Sequence, residues 1–185
     1  VIYAVFNIVL INVVAFSLAS LVTQNLKGKN FYRAGFFMPN LIGGLVLGYI
    51  WKFIFDKVLF SFGGMFAPSL LISGDTAFIS LLVVVTWQYA GYIMMIYIAA
   101  IQNIPQDLVE ASQIDGANAW QRLKNITMPL VAQAFTVAMF LTLVTAFKQF
   151  DTVVSLTQGG PATQLPEIMG SIYNKTILFR EYSTL

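Results

Sequence analysis

The chain has 185 residues, of which 58% are hydrophobic and 10% are charged, and its formal net charge is +2. This apolar composition indicates a membrane protein, and the small net charge gives no basis for nucleic-acid binding. The chain contains no Cys and no His, which excludes disulfides, thiolate and imidazole chemistry and the usual zinc or iron sites.

Four apolar runs follow one another, over residues 1–22, 34–55, 77–101 and 129–147. Each is close to the length at which a helix crosses a hydrocarbon core about 30 Å thick. We therefore predict an all-α integral membrane protein with four transmembrane helices, the second of them kinked at Pro39. The chain opens on Val1 inside the first run and ends in a polar, amphipathic stretch, so we expect a piece of a longer protein.

The middles of the predicted spans contain no Asp, Glu, Lys or Arg. Transporters driven by protons or sodium ions generally need an intramembrane carboxylate or an equivalent ion site, and intramembrane proteases need paired acids or an activated nucleophile. We infer that energy for uphill transport would have to come from a partner. No catalytic residue, metal site or cofactor is predicted.

A polar segment with helix-terminating residues, 102–128, separates the third and fourth runs. Asn103 and Pro105 predict the start of a short helix near residue 105, and Gly116 predicts its end. Asn118 predicts the cap of a second helix that runs to Pro129. This pair of short helices is typical of a docking element.

The same segment contains Glu110 and Ala111, then Gly116, Ile126 and Pro129 at fixed intervals. This spacing resembles the signature of the membrane subunits of binding-protein-dependent ATP-binding-cassette (ABC) importers: Glu-Ala-Ala, three residues, Gly, nine residues, Ile, one residue, Leu-Pro. Ser112 and Met128 replace the usual Ala and Leu. The resemblance implies a type I importer permease of the MetI-like fold, with four of six transmembrane helices present in a single domain over residues 1–185.

In that family the signature forms the coupling helix, which lies in a cleft of the ATP-binding subunit, so the resemblance makes segment 102–128 cytoplasmic. The basic residues Lys27, Lys29 and Arg33 favour the same orientation. The residues that we expect at the docking site are Leu108, Glu110, Ala111, Ser112, Ile114, Asp115, Gly116 and Arg122.

Within this docking site, Ala111 and Ser112 are small enough for close approach, whereas Leu108 and Ile114 offer apolar anchorage. Glu110 could pair with a basic residue of the partner or favour the positive end of its own helix. Asp115 and Arg122 could brace the turn. Alternatively, these charges are simply solvated.

Three further segments, residues 29–33, 99–105 and the Gly-Gly-Pro stretch 159–161, look like the carbohydrate branch of these permeases, the maltose-like and glycerol-phosphate-like group. This resemblance implies a sugar importer subunit in a bacterial or archaeal inner membrane. Its partners would be a dimer of ATP-binding subunits, which hydrolyses the ATP, a second permease subunit and an extracytoplasmic solute-binding protein. The alternatives are a permease of the same fold for a polyamine, phosphate or amino acid, an ion-coupled secondary transporter, or a membrane scaffold without transport.

Polar side chains near the middle of the third span are candidates for the substrate pathway. Gln88 and Tyr92 are four residues apart and share a helical face, with Tyr89 beside them. Aromatic faces and amide groups of this kind bind sugars, but in membrane bundles they also hydrogen-bond between helices. Asn40 and Gln149 have the same two interpretations.

Overall fold

The computed structural model describes residues 2–24, 28–59 and 74–149, together with Thr152 and Leu156. In this part of the chain all regular structure is helical and no strand occurs. The Gly-Gly-Pro stretch and the polar C-terminal stretch that the sequence analysis singled out lie outside the described residues.

The elements follow in chain order. Helix α1 is Ile2–Val22 and α2 is Lys29–Phe37, which a 3₁₀ turn, Met38–Leu41, extends. Helix α3, Gly44–Phe53, continues as a π-helix over Ile54–Leu59, and α4 is Gly74–Gln102. Then come α5 (Gln106–Ile114), α6 (Ala119–Arg122), a π-helical stretch (Leu123–Thr127), α7 (Met128–Leu130) and α8 (Ala132–Phe147).

Two described helices are long and apolar enough to cross a membrane on their own, and they coincide with the first and third predicted spans. They extend over Tyr3–Val22 and Thr76–Gln102. The count rises to four if each of two broken helix pairs is one span. Long series of exposed apolar side chains on α1, α3 and α8 fit helices that contact lipid.

The predicted second span is not one continuous helix. Pro39 lacks a backbone N–H and lies in the 3₁₀ turn, and Gly43 is extended, with φ −60° and ψ 142°. The kink expected at Pro39 is therefore a complete interruption between α2 and α3. The predicted fourth span, 129–147, is interrupted as well: Pro129 lies inside α7, and at Val131 the helix breaks, its two parts meeting at 69°.

The chain forms two compact units. The described residues of the first unit are 2–7, 42–59, 74–86 and 145–149, with Thr152 and Leu156, and those of the second unit are 8–24, 28–41 and 87–144. In the first unit the edge of the Tyr3 ring packs on Phe78 with centroids 6.0 Å apart, and Asn7 donates a hydrogen bond to the Tyr3 hydroxyl at 3.2 Å. Both partners of that hydrogen bond belong to α1.

In the core of the second unit, three aromatic rings bring α1, α4 and α8 together. The ring centroids of Phe16 and Tyr97 are 5.4 Å apart, those of Tyr97 and Phe135 are 4.8 Å apart, and those of Phe16 and Phe135 are 5.1 Å apart. Helix α2 approaches α4 closely as well, since a Cβ atom added at Gly91 would lie 1.8 Å from the backbone oxygen of Phe36. Only a glycine at this position permits so close a backbone approach.

Candidate coupling loop and substrate-pathway residues

The turn after α5 depends on Gly116. Its φ of 75° is in the left-handed region, which suits the glycine that was predicted to end this helix. The N–H of Gly116 donates to the carbonyl of Gln113 at 3.1 Å, and the N–H of Ala117 donates to the carbonyl of Ser112 at 2.9 Å. These two bonds satisfy carbonyls that the end of the helix leaves without intrahelical partners, and they reverse the chain toward α6.

The start of α6 is fixed by a reciprocal pair of hydrogen bonds. The side-chain oxygen of Asn118 accepts from the backbone N–H of Gln121, and the side-chain oxygen of Gln121 accepts from the backbone N–H of Asn118, both at 2.8 Å. The predicted cap at Asn118 is therefore confirmed. Arg122 Nη1 donates to the carbonyl of Ala117 at 3.2 Å, so Arg122 braces the turn through the backbone and not through Asp115.

Two details of the loop differ from the sequence analysis. Asn103 does not cap α5. The helix begins at Gln106, so the cap position is occupied by Pro105, and no side chain caps the helix there. The helical path also continues past the predicted end at Pro129, to Leu130. Because the preceding residues are already helical, Pro129 removes one backbone donor from this path, which ends one residue later.

The loop leaves large apolar side chains uncovered. Ile114 is 87% exposed, Trp120 is 69% exposed and Leu108 is 46% exposed. Leu108, Ala111 and Ile114 are spaced three apart and are all exposed, so they form one stripe along α5. We call these three residues the outer stripe. Exposed apolar side chains grouped on one short helix are typical of a contact surface.

Ser112 does not share this exposure. It is only 7% exposed, and its hydroxyl donates to the carbonyl of Val109 at 2.7 Å. Ser112 is thus on the inward side of α5, and its place at the docking surface stays a prediction that this burial does not favour.

A groove of about 770 Å³ lies beside α5, on a different side from the outer stripe. Its lining includes one acidic residue, Glu110, and one basic residue, Arg122. The residues that line the groove are Thr23, Gln24, Gln106, Val109, Glu110, Gln113, Ala119 and Arg122. Among the described residues, no three His, Cys, Asp or Glu side chains are grouped so that they could hold a metal ion.

Four of the five substrate-pathway candidates belong to the second unit. Gln88 is 4% exposed, and Tyr89, Tyr92 and Asn40 are half-buried. Gln88 and Tyr89 both have contacts with other groups. Their burial is compatible both with sugar binding and with hydrogen bonding between helices.

Gln149, the fifth candidate, belongs to the first unit. It is 3% exposed, and neither its amide oxygen nor its amide nitrogen has a hydrogen-bond partner. A buried amide without partners is unfavourable by about 1–3 kcal/mol for each group left unpaired. The amide of Gln149 therefore has both of its hydrogen-bonding groups unused.

The described residues thus define a helical membrane protein in which a preshaped, exposed two-helix loop joins α4 to α8. The chain belongs to the family of binding-protein-dependent transport system inner membrane components, whose family model matches residues 11–184. The resemblance drawn from the spacing of Glu110, Gly116 and Pro129 is confirmed.

Relatives with curated descriptions agree with this family. The chain is 47% identical over 183 residues to the probable starch degradation products transport system permease protein AmyD of Thermoanaerobacterium thermosulfurigenes. This match covers 97% of this chain and 63% of the relative. It is 32% identical over 180 residues to the sn-glycerol-3-phosphate transport system permease protein UgpA of Rhizobium meliloti, covering 94% of this chain and 61% of the relative. The chain thus spans about three-fifths of these relatives.

The fold is also that of a solved importer. A bacterial ABC transporter involved in the import of the acidic polysaccharide alginate matches with a TM-score of 0.66 and 18% identity, covering 98% of this chain and 78% of that chain. The same type of transporter in complex with an alginate pentasaccharide-bound periplasmic protein matches with a TM-score of 0.63 and 19% identity, over 84% of this chain and 63% of that chain. The expectation of a helical type I permease fold is confirmed.

Proposed function

We propose that the chain is part of the permease subunit of an ATP-binding-cassette sugar importer in the inner membrane, and that residues 102–128 couple it to a separate ATP-hydrolysing subunit. The observation that carries the proposal is the α5–α6 loop. Its backbone is held in shape by its own hydrogen bonds, yet its outer stripe is uncovered. A loop that is both rigid and uncovered suits a partner groove.

The roles within the loop follow from exposure. The outer stripe supplies apolar contact with the ATP-binding subunit. Glu110 lines the groove beside it, where its carboxylate would pair with a basic side chain of the partner. Gly116 and Arg122 hold the turn between the two helices. Asp115 is exposed next to that turn and adds negative charge to the same surface.

The substrate class is proposed from the relatives. We expect a sugar delivered by an extracytoplasmic solute-binding protein, and starch degradation products are the first choice to test. Gln149 would offer its amide to sugar hydroxyls, and so, separately, would Gln88, Tyr89, Tyr92 and Asn40. A second permease subunit would complete the pathway.

Reconstitution tests the function. The full-length permease, copurified with its ATP-binding and second permease subunits and placed in vesicles with the solute-binding protein, should take up radiolabelled maltotriose only when ATP is supplied. Uptake of glycerol 3-phosphate in place of maltotriose would retain the importer but change the substrate. Uptake that ignores ATP and follows a proton or sodium gradient would overturn the proposal.

A charged substitution tests docking. Ile114→Asp should reduce copurification of the ATP-binding subunit by about tenfold or more, because it introduces a charge at an apolar contact worth about 1.5–3 kcal/mol. Asn125→Asp, which adds the same charge at an exposed position of the loop outside the proposed contact, is the matched control. Equal copurification of both variants would show that Ile114 makes no such contact.

A further inference from the structure

A buried hydrogen-bonded cluster connects three helices of the second unit. The hydroxyl of Tyr97 in α4 donates to the side-chain oxygen of Asn12 in α1 at 2.6 Å. The side-chain nitrogen of Asn12 donates to the hydroxyl of Thr142 in α8 at 3.1 Å. We call Asn12, Tyr97 and Thr142 the three-helix cluster.

Two members of the three-helix cluster, Asn12 and Thr142, also make hydrogen bonds within their own helices. The nitrogen of Asn12 also donates to the carbonyl of Ile8 at 2.7 Å, and the Thr142 hydroxyl donates to the carbonyl of Ala138 at 2.8 Å. Tyr97 and Thr142 are 0% exposed and Asn12 is 5% exposed. Because every donor is paired away from water, sliding or rotating one helix against the others would leave buried polar groups unpaired.

The aromatic contact described above adjoins the same site. Phe16, one turn along α1 from Asn12, packs on the ring of Tyr97, and both rings contact Phe135 of α8. The three helices are thus held by two adjacent contacts, one polar and specific in register, the other apolar. Side-chain packing alone would tolerate small rotations that the hydrogen bonds do not.

The location of the cluster relates it to the α5–α6 loop. Tyr97 lies five residues before the end of α4, the helix that leads into the loop, and Thr142 lies on α8, the helix that leaves it. Asn12 joins both to α1. The cluster therefore connects both helices that flank the loop to α1.

We propose that the three-helix cluster makes α1, α4 and α8 of the second unit move as one rigid body when the loop moves, so that Asn12 is a positioning residue for transport coupling. This inference rests on the proposed function of the loop. The cluster contacts no substrate and supplies no chemistry; it fixes the helix register that converts loop movement into helix movement. Without it, the ATP-binding subunit would still hydrolyse ATP, but the helices would follow the loop independently.

The test compares sugar uptake with ATP hydrolysis in the reconstituted full-length complex. Tyr97→Phe and Thr142→Val each remove one interhelical bond of the cluster, and Asn12→Leu removes both, with little change in volume. We expect each to lower the number of maltotriose molecules imported per ATP by about five- to tenfold, within the range in which single residues alter coupling between sites. ATP hydrolysis and the yield of assembled complex should stay near those of the wild type.

Two controls separate coupling from stability. Asn7→Leu removes an equally buried Asn of the same helix whose hydrogen bond to Tyr3 stays within α1, and it should keep the wild-type import ratio. Thr142→Ser keeps the hydroxyl and should do the same. The double variant Asn12→Leu with Thr142→Val should be no worse than Asn12→Leu alone, because both changes break one shared bond.

A distance measurement between α1 and α8 tests directly whether the helices move as one rigid body. Spin labels at Leu21→Cys in α1 and Val137→Cys in α8, both exposed positions, should keep one narrow distance distribution with and without ATP. In Asn12→Leu the distribution should broaden. If the wild-type complex shows no ATP-driven uptake, the proposed function fails; if it does, and the cluster variants keep both the wild-type import ratio and the narrow distribution, only this inference is overturned.

Discussion

The α5–α6 loop and the three-helix cluster are built in opposite ways. The loop is exposed, and the hydrogen bonds that shape it join residues at most five positions apart in sequence. The three-helix cluster is buried, and its two interhelical bonds join residues 85 and 130 positions apart. The shape of the loop is therefore a property of its own sequence, whereas the cluster exists only when α1, α4 and α8 have assembled.

This difference predicts different failures. Damage to a long-range contact should reduce assembly or coordinated movement of the unit, and damage to the loop should leave the helices assembled while docking is lost. Substitutions of glycine distinguish the two cases well, because Gly91 lies at a long-range contact and Gly116 at a local one.

The largest effect is expected at Gly91. In Gly91→Ala the added methyl group would lie 1.8 Å from the backbone oxygen and 2.4 Å from the carbonyl carbon of Phe36, and backbone atoms cannot move aside as a flexible side chain can. Separating α2 from α4 should destabilise the protein by about 3 kcal/mol, at the upper end of the range for overpacked sites. The yield and thermal stability of the detergent-solubilised full-length permease measure the loss.

Gly35→Ala is the matched control for Gly91→Ala. Gly35 lies in α2, and nothing is within 4 Å of a Cβ atom added there. It should be neutral or slightly stabilising, because Ala favours a helix over Gly by about 1 kcal/mol. Equal stability of the two variants would show that α2 and α4 are not in backbone contact at Gly91.

The second effect is local. Gly116→Pro should abolish sugar uptake while membrane insertion and helix assembly stay intact, because proline fixes φ near about −65° and removes the N–H that donates to Gln113. The incompatible backbone should destabilise the turn by more than about 1 kcal/mol. Copurification of the ATP-binding subunit and vesicle uptake are the two measurements.

Gly116→Asn serves as the conservative change, since Asn tolerates the left-handed conformation better than other residues with a side chain. It should retain most of the uptake. Loss of insertion in Gly116→Pro would contradict the view that the turn is independent of the spans, and unchanged uptake would contradict its assignment as part of the coupling loop.

Sequence reasoning predicted the loop well because its signals are local. The glycine that ends α5 and the Asn that caps α6 each lie within four residues of the helix end that they determine, so both can be recognised from the neighbouring sequence. The cap predicted at Asn103 was wrong, because α5 begins after Pro105 and not after Asn103. Exposure could not be predicted in the same way, and Ser112 proved buried because the side of α5 that faces inward depends on the rest of the second unit.

The long-range contacts left no comparable mark. Asn12 was one polar residue in an apolar helix, and nothing near it in sequence indicates Tyr97 or Thr142. Gly91 is one of 13 glycines, and its importance appears only when the backbone of Phe36 lies against it. Arg33 was counted among the basic residues of a loop, yet its Nε and Nη2 atoms are buried and without hydrogen-bond partners.

The smallest predicted effect gives the most specific test of the difference between local and long-range structure, because the substitution alters only one end of one short helix. Asn118→Ala removes the side chain that accepts from Gln121 and leaves the backbone N–H groups at the start of α6 without that cap, at a cost of about 1 kcal/mol. Asn118→Asp keeps the acceptor oxygen and should restore the cap. If the loop is held only by its own bonds, Asn118→Ala should weaken binding of the ATP-binding subunit several-fold, while the stability of the detergent-solubilised permease without that subunit is unchanged. A parallel loss of permease stability would mean that α6 supports the helices as well as the docking surface, and that the separation between local and long-range structure does not hold at this end of the loop.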